Sequence, residues 1–192
     1  MVKCHIRNST VVMAKRITKV TTKKGDDGTT GMADGTRVTK SNLLIKAIGE
    51  LDELNSWIGL LCSLDEIKEN KKFLQKIQNR LFDIGGILTT KSEIPLEKNH
   101  LIKLETETDK LNNNLPSLEN FILPGGNKES SLVHITRTVC RRAERSLIDA
   151  NESEKIEKSC LIYINRLSDF LFVLARRINL DSGTEELLWI QE

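Results

Sequence analysis

The sequence predicts an all-α protein folded as a five-helix up-and-down bundle. Gly and Pro together supply 14 of the 192 residues, and Phe, Trp and Tyr supply 8. This leaves too few turn-forming and aromatic residues for a protein built from many short strands. Five segments instead repeat apolar residues at three- and four-residue spacing, which is the period of an amphipathic helix. Short connections between such helices favour an up-and-down arrangement.

The first two helices have clear start and stop signals. Ser41 or Asn42 can cap the first helix through a side-chain oxygen. The second is predicted over residues 67–88, and Pro95 marks the break that follows it. The first helix carries the longest apolar stripe, made of Leu44, Ala47, Ile48, Leu51, Leu54, Ile58, Leu61 and Cys62.

The remaining three helices are predicted over residues 97–112, 128–149 and 154–179. The third is the most polar and ends in a run of three Asn residues before Pro116. A turn that contains Pro124, Gly125 and Gly126 leads into the fourth. We expect one domain over residues 18–192, since a chain of this length has room for one sizeable core.

The first 40 residues lack a helical period. Residues 1–17 contain four basic residues and no acidic one, a pattern also found in targeting leaders. We interpret them as a flexible N-terminal extension. Residues 19–40 are rich in Gly, Thr, Asp and Lys, which predicts an ordered loop or extended arm that leads into the first helix.

Composition excludes several classes of function. The 56 charged residues nearly balance at a net charge of +2, which is unlike a nucleic-acid-binding protein. No apolar run approaches the roughly 18 to 20 residues of a membrane span. Only one Glu-x-x-His motif is present, so the two that a di-iron bundle needs cannot be built and no metal site is predicted. We therefore interpret His100 and His134 as surface or helix-packing residues. Cys62, Cys140 and Cys160 lie on apolar stripes, which favours buried free thiols in a reducing, cytoplasmic compartment.

The fourth helix carries a stripe of arginines. Arg137, Arg141 and Arg145 repeat every four residues with Glu144 between them, and Arg142 lies alongside. A solvated face with ion pairs is the ordinary interpretation of such a stripe. Arg rather than Lys, however, suits bidentate binding of phosphate.

The fifth helix shows a smaller polar stripe. Asn165, Asp169 and Arg176 interrupt its apolar surface, and Asn165 and Asp169 could pair with the arginines or reach a nucleotide. The sequence leaves these two alternatives open.

The loop before the first helix has the residue types that cradle a polyphosphate. Glycines at 25, 28 and 31 lie among hydroxyl and lysine side chains, and Arg37 and Lys40 follow. No Walker or dinucleotide-binding motif is present, so a plain flexible loop explains this segment equally well.

Three segments together resemble one family, the PduO-type ATP:cob(I)alamin adenosyltransferases. They are residues 19–30, residues 121–126 with 137–145, and residues 163–169 with Phe172 following; residues 49–56 match as well. The resemblance covers residues 17–180 and implies a five-helix bundle assembled as a homotrimer, with ATP held between subunits. Thr21 stands where the family commonly has Tyr.

The resemblance also implies a role for individual residues. Asp52 and Arg137 match a salt bridge across the subunit interface, Phe121 matches the aromatic residue that displaces the lower cobalt ligand, and Arg141 contacts the triphosphate. The residues implied to bind ATP, usually with Mg²⁺, are Thr22, Lys23, Lys24, Gly25, Thr30, Gly31, Lys40, Arg141, Arg142, Glu144, Arg145 and Asn165.

The implied reaction agrees with this residue inventory. Co(I) of a reduced corrinoid, cob(I)alamin, attacks C5′ of ATP and triphosphate leaves, so the cobalt is the nucleophile and no Ser, Cys or His is required. A reductase and an adenosylcobalamin-dependent acceptor enzyme would be protein partners. A non-catalytic nucleotide or corrinoid carrier, or a nucleotide-sensing module, is the competing interpretation. Binding of RNA or DNA through the arginine helix is a further alternative. It is weakened because no aromatic residues that could stack on bases lie beside the arginines.

Overall fold

Five α-helices follow a short β-hairpin in this computed structural model, which describes residues 21–92 and 95–191. The hairpin strands are β1 (Thr29–Gly31) and β2 (Arg37–Thr39). The helices are α1 (Leu43–Leu61), α2 (Lys71–Thr90), α3 (Lys98–Asn112), α4 (Lys128–Asn151) and α5 (Lys158–Asp181), and a 3₁₀ turn lies at Asp65–Ile67. The predicted all-α five-helix bundle is confirmed. The predicted extension over residues 1–17 lies outside the described residues.

Side-chain caps set the helix starts. The Asn42 side chain accepts a hydrogen bond from the Leu44 N–H at 2.8 Å, so Asn42 rather than Ser41 caps α1. The prediction that the fifth helix begins at residue 154 was four residues early. The Asn151 side chain accepts a hydrogen bond from the Ile156 N–H at 2.9 Å. The Glu157 carboxylate accepts one from the Ser159 N–H and so caps α5, and the residues between 151 and 157 form a loop. The second helix likewise begins later than predicted, after the 3₁₀ turn.

The helix α4 lies at the centre of the bundle. It packs against α1 on one side and α5 on the other, while α2 packs on α1 and α3 on α5. The predicted apolar stripes form the core between them, and Leu54, Ile58, Leu147 and Phe170 are fully buried. Burial of one such side chain contributes about 1.5–3 kcal/mol, so this core is the main source of stability.

Three cysteines of the described chain are free and buried, as predicted. Burial raises the pKa of the Cys160 thiol to about 11 and raises the pKa of Cys140 further still. Both thiols therefore stay protonated and behave as small apolar core residues.

Two apolar side chains tie the hairpin to the bundle, one from its turn and one from β2. Met32 is 7% exposed and belongs to the core, and Val38 on β2 packs against the same core. The strands pair antiparallel with Thr30 opposite Val38. These strands were not predicted, because three-residue strands are too short to show an alternating pattern. The hairpin places the loop that is predicted to bind polyphosphate next to the N-terminus of α1.

Among the described residues, no helix combines the length and the apolar character that crossing a membrane requires.

Candidate functional site

The loop at residues 22–28 is closed onto the hairpin by a lysine. The Lys40 ammonium donates a hydrogen bond to the Gly25 carbonyl at 2.7 Å. A Cβ on Gly25 would lie 3.1 Å from the Thr29 carbonyl oxygen and 3.2 Å from the Lys40 nitrogen, so a side chain at this position would crowd the closure. The structure thus brings together Gly25 and Lys40, two residues that the sequence assigned to one site.

Arg37 holds the other side of the same loop. Its guanidinium donates to the Lys24 carbonyl at 2.5 Å and to the Thr29 hydroxyl, and it lies 3.4 Å from the Asp27 carboxylate. The predicted ATP-binding side chains of the loop remain at the surface: Thr22, Lys23, Lys24 and Gly31 lie among exposed positions, and Thr30 is half-buried. The loop therefore presents two lysines to solvent on an ordered backbone.

The arginine stripe of α4 divides into paired and unpaired side chains. Arg142 donates to Glu50 at 2.5 Å and to Glu53, both on α1, and the bond to Glu53 lowers the pKa of that carboxyl group. Arg141 and Arg145 are exposed and make no ion pair or side-chain hydrogen bond within residues 21–92 and 95–191. The sequence did not distinguish these arginines, but Arg142 is already engaged in ion pairs, whereas the guanidinium groups of Arg141 and Arg145 are free to bind an anion.

Glu144 and Asn165 are in contact, as expected for residues of one site. The Asn165 amide on α5 donates to the Glu144 carboxylate on α4 at 2.8 Å. Its carbonyl oxygen accepts from Arg166 at 2.8 Å, and Arg166 also pairs with Glu105 on α3 at 3.2 Å. These bonds fix the orientation of the Asn165 amide beside the free arginines.

Arg137 is the most constrained residue of the stripe. It is half-buried, its Nε is buried and has no hydrogen-bond partner among the described residues, and its guanidinium lies 5.8 Å from the centre of the Phe172 ring. Burial, and secondarily the positive charge of Arg141, lowers the pKa of Arg137. A guanidinium held in this way is available to a carboxylate or another anion that approaches from outside the protomer.

Arg137 and Phe121 line one open cavity of about 610 Å³. Phe121 is 78% exposed, and its ring meets Trp189 edge-on with the ring centres 6.4 Å apart. The other lining residues are Leu118, Glu119, Asn120, Ile122 and Phe172. The sequence predicted Phe121 and Arg137 as functional, and the structure places both at this cavity.

Asp52 is exposed on α1, and its carboxylate makes no ion pair within the described part of the chain. In particular, it does not pair with Arg137 of the same protomer. The predicted Asp52–Arg137 bridge, which the resemblance assigned to two different subunits, stays a prediction.

Asn179 supports the turn between Phe121 and α4, and sequence reasoning missed it. It is 2% exposed, donates to the Gly125 carbonyl at 3.2 Å, and accepts from the Asn127 N–H at 3.3 Å. Gly126 has a φ of +108°, and a Cβ there would overlap the Asn179 side chain at 2.1 Å. Asn127 in turn caps α4. The signal in the sequence was an Asn in the last turn of a helix that is otherwise mostly apolar on the same face.

Two further expectations concern metal and histidine. No cluster of three or more His, Cys, Asp or Glu residues suited to a metal ion occurs in the described ranges. His134, expected as a surface or helix-packing residue, packs 6.2 Å from the Phe172 ring and is buried. Burial lowers the pKa of His134 to about 4, so the ring is neutral near pH 7.

The fold and the site define a helical-bundle protein that combines a helix face carrying arginines unpaired in the described chain with an aromatic-edged cavity. The family model described as cobalamin adenosyltransferase matches residues 20–178. The chain belongs to the cobalamin adenosyltransferase family.

Relatives and solved structures agree with this membership. The chain is 45% identical to a cobalamin adenosyltransferase from Cupriavidus metallidurans over 181 residues, which cover 94% of this chain and 98% of the relative. It is 43% identical to a corrinoid adenosyltransferase from Bacillus subtilis, covering 86% and 89%. A variant PduO-type ATP:corrinoid adenosyltransferase from Lactobacillus reuteri, complexed with cobalamin and ATP, matches with a TM-score of 0.82 at 34% identity, covering 90% and 100%.

Proposed function

We propose that this chain transfers the 5′-deoxyadenosyl group of ATP to the Co(I) centre of a reduced corrinoid, forming adenosylcobalamin and releasing triphosphate. The observation that carries the proposal is the cavity shared by Phe121 and Arg137, in a chain whose relatives are corrinoid adenosyltransferases. Its volume of about 610 Å³ and its aromatic edge suit part of a large, flat, apolar substrate. The same features argue against a nucleotide-only carrier, since nucleotide binding alone does not require an exposed phenylalanine beside a half-buried arginine.

The reaction is a substitution at C5′ of ATP. A Co–C bond forms with the electron pair of Co(I), the C5′–O bond breaks, and triphosphate leaves with that bond's electrons. The protein therefore has to align cobalt with C5′ and to stabilise the negative charge of the leaving group. Nucleophilic protein side chains are not required, because the substrate cobalt supplies the electrons.

Arg141 and Arg145 are the side chains best placed for the triphosphate. Both are exposed on α4 and free of internal partners in the described chain, so binding phosphate would not require an existing ion pair to break. Arg142 would have to leave Glu50 and Glu53 to do the same. We therefore assign Arg142 a weaker part in ATP binding than its neighbours.

The hairpin loop would contribute the other half of the ATP site. Lys23 and Lys24 present ammonium groups, and Gly25 with Gly31 lets a phosphate approach the backbone closely. Lys40, bound to the Gly25 carbonyl at 2.7 Å, would both shape the loop and add positive charge to it. Thr22 and Thr30 would supply hydroxyl groups.

Phe121 would face the lower side of the corrinoid. Its phenyl ring has no donor atom, so a ring that fills this space removes the lower axial ligand without replacing it. A cobalt without that ligand is easier to reduce from Co(II) to Co(I). A separate reductase would supply the electron, and an adenosylcobalamin-dependent enzyme would accept the product.

The donor set fits Mg²⁺ bound mainly by ATP itself. Mg²⁺ is usually held by substrate phosphates and water with one or two carboxylates. Glu144, fixed by Asn165 beside the free arginines, would provide the carboxylate. The bound ion would neutralise phosphate charge, while the chain's own residues orient the nucleotide.

We propose a homotrimer with sites between subunits. The support is that the Arg137 guanidinium and the Asp52 carboxylate each lack an ionic partner within the described protomer. Mixing Asp52→Ala subunits with Arg137→Ala subunits should restore activity, because some interfaces then carry both native residues. Activity of the mixture no higher than that of the separate variants would contradict the shared site.

Buried free thiols suit a reducing compartment, which supports a cytoplasmic location.

The function is tested by anaerobic incubation with ATP, Mg²⁺ and reduced cobalamin while the cobalamin spectrum is followed. Adenosylcobalamin formation with one triphosphate per turnover is expected. Arg141→Ala should lower kcat/KM by about 100-fold or more, since it removes charge at the leaving group. Arg177→Ala, an arginine paired with Asp181 on α5, is the matched control and should stay active. Absence of turnover by the wild-type protein would leave only a binding role.

A further inference from the structure

A buried arginine joins α5 to two other segments of the chain. Arg176 is 4% exposed, and its Nε lies 3.1 Å from each carboxylate oxygen of Glu186. Its Nη2 lies 3.0 Å from Glu186 and donates to the Pro116 carbonyl at 2.8 Å. The sequence placed Arg176 on the same polar stripe as Asn165, and the structure engages its Nε and Nη2 with Glu186 and the Pro116 carbonyl.

The segment that contains Glu186 pairs with the segment that contains Phe121. The Leu123 N–H donates to the Leu187 carbonyl at 2.8 Å, and the Trp189 N–H donates to the Phe121 carbonyl at 2.7 Å. The Asn120 side chain adds a bond to the Trp189 carbonyl at 2.8 Å. The backbone of Phe121 is therefore held by the C-terminal segment, residues 184–190.

Two cavities share lining residues within 118–122. One is the Phe121 cavity described above, and the other, of about 410 Å³, is lined by Arg176 and Glu186. Leu118, Glu119 and Ile122 line both. Residues 118–122 thus connect the cavity of Phe121 with the cavity lined by the ion pair.

Beside its hydrogen bonds to residues 120–123, the C-terminal segment buries little apolar surface. Leu187 is 64% exposed and Ile190 is 81% exposed, so apolar burial contributes little to its attachment. Arg176, in contrast, projects from a well-packed helix and forms a bidentate bond of fixed geometry.

We infer that Arg176 and Glu186 are positioning residues for corrinoid adenosylation. Their ion pair holds the C-terminal segment against residues 120–123 and so fixes Phe121 at the edge of its cavity. This inference rests on the proposed function, which gives Phe121 its part in corrinoid binding. The ATP half of the site, on the hairpin and the exposed face of α4, does not depend on this pair.

Glu186→Gln tests the inference, with Glu185→Gln as the matched control. Glu185 is the adjacent, exposed glutamate, and it makes no ion pair among the described residues. Glu186→Gln should lower kcat/KM for the corrinoid by about 10- to 100-fold, because Phe121 loses its alignment, and should leave KM for ATP unchanged. Glu185→Gln should behave as wild type. An unchanged corrinoid kcat/KM in Glu186→Gln, or an equal loss for both substrates, would overturn the positioning role.

Hydrogen exchange of the protein without substrates gives a second, independent readout. In Glu186→Gln the amides of residues 121–123 and 187–189 should exchange about tenfold faster or more, while those of α1 and α4 keep wild-type rates. Wild-type exchange in both segments would refute the anchor. If the wild-type protein shows no adenosylation at all, the proposed function fails, and the exchange comparison still decides whether the ion pair holds the Phe121 segment.

Discussion

Replacing Gly126 by Ala should destabilise the protein more than its position in a turn suggests. Gly126 has a φ of +108°, a conformation that costs a residue with a Cβ roughly 1–2 kcal/mol. The added Cβ would also lie 2.1 Å from Oδ1 and 2.6 Å from Cγ of Asn179. Asn179 is buried and has to move, which breaks its bonds to the Gly125 carbonyl and the Asn127 N–H.

The expected loss follows from these two contributions. Two buried hydrogen bonds contribute about 1 kcal/mol each, so the free energy of unfolding should fall by about 3–4 kcal/mol in total. Urea titration followed by far-ultraviolet circular dichroism measures this change. Gly85→Ala is the control: Gly85 lies within α2 with open space around its Cα, so Ala should stabilise the protein by up to about 1 kcal/mol. A loss below about 1 kcal/mol for Gly126→Ala would refute the argument.

Three other perturbations separate binding, stability and pH effects. Phe121→Ala should leave the calorimetric affinity for ATP unchanged and strongly reduce adenosylation; an unchanged rate would contradict its role below the cobalt. Arg142→Ala should lower the free energy of unfolding by about 0.5–1 kcal/mol, since its ion pairs are partly exposed, and a loss that persists undiminished in high salt would argue against the electrostatic cause. His134 has its pKa lowered from 6.5 to about 4, so the stability from its neutral form is complete above pH 6.5 and is lost as pH falls toward 4. The loss is about 3 kcal/mol at most, and urea titrations of His134→Leu should lack that part of the pH dependence.

The helices could be predicted because their signal is local and repeated. The apolar stripe of α1 spans five turns, and every member predicted for it is buried or packed against the core. The start of α5 was misplaced, because residues 154–157 are compatible with a helix and are held out of it by the side chains of Asn151 and Glu157. Such a choice between local hydrogen bonds leaves no periodic pattern in the sequence.

The residues of the candidate site could be named from the sequence, but the contacts between them could not. Phe121 and Arg137 were assigned through a family resemblance, and their meeting at one cavity follows from how the turn before α4 folds back. Trp189 was missed entirely, because a tryptophan in an irregular terminal segment has no pattern that links it to Phe121. The backbone bond from Trp189 to Phe121 exists only once the C-terminal segment lies along residues 120–123.

The sequence by itself determined the helical class, the buried faces and the free thiols, since these depend on periodicity and on the hydrophobic effect acting along each segment. Only the tertiary structure decided which charged groups are engaged. Arg141 and Arg142 are adjacent, yet their directions differ by about 100° around α4, and only Arg142 reaches the glutamates of α1. Arg176 is buried because Glu186 folds back onto α5. The partner of a charge is set by the packing of distant elements, and no local pattern in the chain encodes it.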